Sequence, residues 1–316
     1  MPNPAHGSRA GIICALLLLY FLWGATYLGM RWSVEVIPPF LMSAFRFFVA
    51  GLPLYAALRL GGASRPKASD WRQTSVISLF LIIGGNAGVA YAEQYISSGL
   101  AALLICTTPL WIIVLAWLTG TGARPTSWIL AGLCFGFLGM FLLVGNSLHG
   151  EHDFSGRGMT GIGVTLGASL AWSIGSLYAR HVHLSCPALL GVAMQMLQAS
   201  LILFLIAWFT HETSSFDWRQ LTPRAIGAFL FLVVAAPVGF GAYLWLLKVC
   251  APSIVTTYAF VNPVVAMGLG WALAGESITA SMLVGAAILV VGVAMVVLGQ
   301  PAKTPAKELT EEQAPL

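Results

Sequence analysis

Long apolar runs separated by short polar breaks dominate this chain. The runs fall at about 11–31, 38–60, 74–95, 99–119, 126–146, 158–180, 186–210, 222–249, 253–273 and 279–299. Each is near the twenty or so residues that a helix needs to cross a hydrocarbon core of roughly 30 Å. Lipid offers the backbone no hydrogen-bond partners, so such runs are expected to be helices that satisfy themselves. The pattern therefore predicts an all-α membrane protein with ten transmembrane helices. The breaks have the opposite character: Gly61-Gly62-Ala63-Ser64-Arg65-Pro66-Lys67 and the stretch 214–219 gather charge and turn residues, as solvated backbone requires. The first run opens like a signal peptide but stays apolar through Met30 with no convincing cleavage pattern, and is expected to be retained. The Pro-, Lys- and Glu-rich stretch 300–316 is expected to be a disordered cytoplasmic tail.

The pattern also repeats. Thr107-Thr108-Pro109 leads to Trp117, Gly132 and Gly139; Val261-Asn262-Pro263 leads to Trp271, Gly285 and Gly292. The Pro and Trp pairs are 154 positions apart and the Gly pairs 153, so a single residue of slippage separates two parallel patterns. Ser98–Ala102 lines up likewise with Pro252–Thr256. This divides the chain into a first repeat at 1–146, an outer linker at 147–157, a second repeat at 158–299 and the tail. Five spans per copy is an odd number, so the second copy is expected to lie upside down relative to the first, an arrangement recurrent in secondary transporters.

Composition narrows the class. Apolar residues make up 58% of the chain and charged ones only 8%, with a mean hydropathy of +0.86, against roughly 25% charged in soluble domains. The basic residues fall mostly on one side. With a cytoplasmic N-terminus the inner loops hold Arg9, Arg59, Arg65, Lys67, Arg72 and others, while the outer side holds Arg31, Arg157, Arg219 and Arg224. That bias places both termini in the cytoplasm. A net charge of +4 is then topology and no sign of a nucleic-acid partner. The five cysteines have no CxxC spacing and read as small buried hydrophobes.

Chemistry must come from the few polar groups inside the spans. Arg46 in span two and Glu93 near the outer end of span three are costly in lipid, and a direct pairing of the two is expected. Functionally they read as a clamp for a substrate carboxylate (Arg46) and as a proton carrier or partner for a substrate ammonium (Glu93); structurally, as an ion pair or as a glutamate that has reached interfacial water. Trp23, Tyr27, Tyr91, Gln94, Trp172, Ser176, Gln195, Tyr243, Tyr258 and Asn262 are expected to line a central cavity with aromatic walls and a few polar groups, the usual make-up of a small-molecule site. Pro109 and Pro263 each remove a backbone donor and free a carbonyl one turn earlier, near Ile105 and Ala259, so both read as hinges or fixed kinks. Gly132, Gly136, Gly139, Gly285 and Gly292 read as packing surfaces within a half, between halves or in a homodimer.

Other chemistries find no foothold. No GxxxxGK[ST] loop occurs, which removes the evident ATP site; His149, Glu151, His152 and Asp153 read as a solvated linker, not a metal centre; and His211-Glu212 lacks the second histidine of a zinc protease helix. No cofactor is expected. A membrane-embedded transferase is the remaining enzyme alternative, and the short loops argue against it.

The residues resemble the drug/metabolite transporter superfamily, in its EamA-type branch of ten-helix exporters. Leu22-Trp23-Gly24-Ala25-Thr26-Tyr27, Pro38-Pro39 with Ala44-Phe45-Arg46-Phe47, the paired Pro109 and Pro263 regions, and Gly275-Glu276-Ser277-Ile278-Thr279 carry the resemblance, which covers about 11–299. It implies efflux of small polar metabolites, commonly amino acids, across the bacterial inner membrane by alternating access; drugs or other metabolites such as sugars are the alternative cargo, and a facilitator and a proton-coupled antiporter are both open. Within the branch the chain is similar to amino-acid exporters of the YddG type. The first half lacks a counterpart of Glu276 at 120–124, so Glu276 is expected to cap the start of span ten.

Overall fold

The structure, a computed structural model, describes residues 9–120, 126–147, 156–249 and 258–299. Most of the expected linker, including His149–Asp153, and the whole tail at 300–316 lie outside the described residues. Every regular element among the described residues is helical: α1 (Arg9–Val34), α2 (Pro39–Leu60), α3 (Ala68–Ala92), α4 (Ser98–Leu118), α5 (Ser127–Ser147), α6 (Arg157–His181), α7 (Ala188–Phe209), α8 (Pro223–Val249), α9 (Tyr258–Ala274) and α10 (Ala280–Leu298). Stretches long and apolar enough to cross a membrane lie in seven of them, α1 to α4 and α6 to α8; α5, α9 and α10 hold shorter apolar stretches.

Local chemistry sets the ends. Pro39 opens α2 with its φ already helical and no N–H to leave unpaired. Ser97 accepts the Leu100 N–H at 3.3 Å to start α4, and Thr279 accepts the Met282 N–H at 3.2 Å to start α10. Gly62, at φ +88°, turns the chain out of α2 in a conformation that a side chain would resist.

The helices pack in a pattern that survives exchange of the first five for the last five. α1 lies against α8 and α9, as α6 lies against α3 and α4; α2 packs on α7 and α5 on α10. Glycines set the α5–α10 crossing. A Cβ on Gly132 would lie 2.9 Å from the Gly292 carbonyl, and one on Gly139 would lie 2.9 Å from the Gly285 carbonyl. The earlier glycine of α5 therefore meets the later glycine of α10 and the reverse, so the two helices run antiparallel. The glycines join the two halves of one chain. Small residues carry close approach elsewhere too, with Ala44, Ala87, Ala90, Ala101 and Ala193 fully buried, as expected where no hydrophobic force draws helices together in lipid.

Candidate functional site

Trp23 and Tyr27 stand one turn apart on α1, and Tyr258 and Asn262 one turn apart on α9, so each pair shares a helix face. The α1 and α9 backbones approach closely at Gly24, where a Cβ would lie 2.6 Å from Val265 Cβ and 3.2 Å from the Asn262 carbonyl. Trp23 meets Tyr258 edge-on at 4.7 Å, Tyr243 at 5.3 Å and Phe240 at 6.0 Å. Gly239 on α8 makes room for the indole, since a Cβ there would lie 2.5 Å from Trp23 Nε1. The result is a cage of aromatic rings between α1, α8 and α9. Tyr27 lies within electrostatic reach of both Tyr258 and Glu93 and so links the cage to the acidic end of α3. Asn262 is 7% exposed, and its Oδ1 accepts no hydrogen bond.

The second polar group centres on α3. Its middle, Leu79–Ala87, is a π-helix, whose wider turns recur at functional positions. Asn86 sits in this segment and its Oδ1 accepts from Arg46 Nη1 at 3.1 Å; Arg46 Nε donates to the Leu232 carbonyl at 3.3 Å, and the guanidinium lies 5.0 Å from the Phe47 ring centre. The expected Arg46–Glu93 ion pair is therefore not formed. The π segment supplies Arg46 with a neutral partner two turns before Glu93. Nor does Glu93 reach water: it is 0% exposed, and neither carboxylate oxygen has a hydrogen-bond partner. Arg31 approaches its backbone instead, donating to the carbonyls of Glu93 and Ile96. The carboxyl lies in the field of Arg31, Glu276 and Arg46. A buried carboxylate without a donor costs several kcal/mol, so the site is short of a donor.

The remaining sequence-predicted residues fall around these two groups. Tyr91 stacks on Phe40 at 5.5 Å and accepts from the Tyr95 hydroxyl at 3.4 Å, while Gln94 is exposed and donates to the Tyr91 carbonyl. Trp172 on α6 covers the π segment at Gly85, where a Cβ would lie 2.9 Å from its Cε3. Ser176 donates to the Trp172 carbonyl at 2.7 Å, and the Gln195 carbonyl on α7 accepts from Ser78 at 2.9 Å. Trp172 and the Gln195 backbone thus stand against α3 rather than in the aromatic cage, while the Ser176 hydroxyl turns back onto its own helix.

At Pro109 the helix breaks at Cys106–Thr107, and hydroxyls take the exposed carbonyls. Thr107 Oγ1 donates to Leu104 O at 2.6 Å and Thr108 Oγ1 to Ile105 O at 2.7 Å; Ser169 Oγ lies 3.0 and 2.9 Å from those two hydroxyls, and Ser173 donates to Thr108 O. Pro263 lies inside α9 beside Asn262.

Glu276 does not cap α10, where Thr279 already serves. It reaches across to α4, accepting from Ser98 N–H at 2.9 Å, Ser98 Oγ at 2.8 Å and Gly99 N–H at 3.2 Å. A carboxylate at a helix N-terminus is stabilised by the helix dipole as well as by the bonds. Sequence reasoning missed this link, as it missed Asn86 and Ser169. The only trace of Asn86 was the Gly84-Gly85-Asn86 run, two glycines loosening a helix beside an amide.

Comparison with known proteins agrees with the class. The model of the EamA-like transporter family matches residues 10–145 and again 159–298. The chain is 33% identical over 92% of its length, and 92% of the relative's, to YedA, described as an uncharacterized inner membrane transporter of Escherichia coli (strain K12). It is 24% identical to a protein of the same strain described as a probable amino-acid metabolite efflux pump, covering 92% of this chain and 96% of that one. A crystal structure sharing 20% identity superposes with a TM-score of 0.59 over 92% of this chain and 98% of its own, a likeness of fold alone.

Proposed function

The chain belongs to the EamA-like transporter family, and from that premise we propose that it exports small metabolites, amino acids foremost, by alternating access through a central cavity. The observation that carries this reading is that the buried acceptors without donors include Glu93, within electrostatic reach of Tyr27, and Asn262, one turn from Tyr258 of the aromatic cage. A static bundle gains nothing by burying them, because an unsatisfied polar group in the interior costs about 1–3 kcal/mol and a charge more. A bundle that takes up a polar cargo there recovers that cost on binding.

In this reading ten helices span the membrane as two inverted repeats, 1–146 and 158–299, with both termini cytoplasmic. The antiparallel α5–α10 crossing and the exchange symmetry of the packing support it. Trp23, Tyr27, Arg46, Tyr91, Glu93, Gln94, Trp172, Ser176, Gln195, Tyr243, Tyr258 and Asn262 line or border the cargo path, and Pro109 and Pro263 mark where α4 and α9 bend. Glu93 is the residue through which a proton would be coupled. The name of the metabolite efflux pump favours amino acids as cargo. Counterflow of radiolabelled amino acids, sugars and cationic drugs in liposomes of purified protein tests the proposal. Saturable exchange of amino acids is the expected result, and none with any of the three classes would refute the reading. The exchange that Glu93→Gln retains is expected to be insensitive to an imposed pH gradient.

A further inference from the structure

The free acceptors and the committed donors in the core differ in a way that bears on which end of a cargo is held. Arg46 is the only buried cation described in the spans, and it is already engaged. Its Nε serves the Leu232 carbonyl and its Nη1 serves Asn86, so each edge of the guanidinium fork has one nitrogen committed. A carboxylate that took either edge with two bonds would have to share Nε with the Leu232 carbonyl or Nη1 with Asn86. Glu93 is the reverse case, with both oxygens buried and neither partnered, and Asn262 adds a third acceptor in the same state. Among the described residues the other buried side-chain atoms without a partner are the Gln73 and Gln198 amide oxygens, which also ask for a donor, the Ser43 hydroxyl, which can give or take a bond, and the Trp111 indole N–H. That indole packs edge-on against Phe137 of α5 at 5.4 Å, away from the cage.

An ammonium answers the Glu93 carboxylate. It carries three N–H donors and one positive charge, which matches a carboxylate better than any neutral donor. The faces of Trp23, Tyr243 and Tyr258 suit a cation or the apolar body beside it, and Tyr27 stands in electrostatic reach of both ends. We infer that Glu93 holds the cargo's ammonium and that no described group in the core holds its carboxylate, so primary amines and amino-acid esters are cargo as good as the free amino acids. Arg46 is then a positioning residue for the π segment of α3 through Asn86. This inference rests on the exporter reading above and sharpens it.

Four probes that share one ring separate the possibilities: phenylalanine, phenylalanine methyl ester, phenethylamine and 3-phenylpropionate. Each competes with radiolabelled phenylalanine in counterflow by the full-length wild-type protein in liposomes, and each is titrated against detergent-purified protein by tryptophan fluorescence. Ester and amine are expected to match phenylalanine within about threefold and 3-phenylpropionate to be without effect. Glu93→Gln is expected to weaken phenethylamine at least tenfold while its melting temperature stays at or above that of the wild type. Phenylalanine exchange blocked by 3-phenylpropionate but not by the amine would overturn the inference and leave the exporter reading standing. Undiminished amine binding in Glu93→Gln would do the same. Failure of every probe to bind or exchange overturns the inference, and saturable exchange of a sugar or drug in that case would keep the exporter reading alive.

Discussion

Adding one methyl group at Gly292 tests whether α5 and α10 cross as the structure has them. A Cβ built there lies 2.7 Å from the Gly132 carbonyl oxygen and 2.7 Å from Gly136 Cα. Both obstacles are backbone, so no rotamer change relieves them. The helices must separate by on the order of 1 Å, which also loosens Met295 and Val296 from Gly132. Overpacking of this kind costs about 1–3 kcal/mol, and with rigid obstacles the upper figure applies. Gly268 on α9 is the control, exposed and with nothing within 4 Å of a built Cβ. Alanine there gains up to about 1 kcal/mol of helix propensity. Gly292→Ala gains the same propensity, which cancels in the comparison, so the gap between the two variants should approach about 3 kcal/mol, a difference on the order of 6 °C in melting temperature for a chain of this size. Thermal unfolding in mild detergent, followed by intrinsic fluorescence, reads it directly. Equal melting temperatures for Gly292→Ala and Gly268→Ala would refute the crossing and, with it, the antiparallel relation of the two helices.

Three other perturbations have defined outcomes. Glu276→Ala removes the acceptor for two backbone N–H groups and a hydroxyl at the start of α4 and should cost about 2 kcal/mol, with Glu276→Gln costing less; equal melting curves for wild type and the alanine variant would contradict the cap. Arg224 pairs with Glu35 but is 55% exposed to the partner's 38%, so Arg224→Ala should cost under about 1 kcal/mol, and a larger loss at high salt would mean the pair is more buried than described. Glu212 lies in the turn between α7 and α8 and accepts the Leu41 N–H at 2.8 Å; burial raises its carboxyl above the ordinary carboxylate range, while the Leu41 and Phe40 N–H groups pull it back only partly. A raised folded value means stability that is complete below the unfolded value and is lost as pH rises through the folded one. Wild-type melting temperature should thus fall over that window relative to Glu212→Gln, and parallel curves for the two proteins would show that the carboxyl does not titrate abnormally.

The hydrophobic runs made the helices legible because spanning length and apolar content are properties of consecutive residues, and the paired Pro109 and Pro263 made the duplication legible because a copied segment keeps its spacing. Relations between distant residues were less readable. Sequence placed Arg46 and Glu93 in the same half of the bilayer and joined them as opposite charges, but the pairing depends on helix phase. A π-helix at Leu79–Ala87 inserts extra rotation that no periodicity announces, and it brings Asn86 to Arg46 in place of Glu93. Glu276 was read as a local cap for a similar reason. A carboxylate three residues before a helix start is the usual sign of a cap, yet the nearest unsatisfied N–H groups in space belonged to Ser98 and Gly99, 178 and 177 positions away. The first error came from assuming that a charged side chain in lipid seeks the opposite charge, the second from looking for its partner only along the chain. Where water is absent any buried polar atom is a partner, so neutral amides and helix ends compete with ions on nearly equal terms. Glu93 is left without either, and that, more than its charge, marks it as the position where a donor from outside the chain fits.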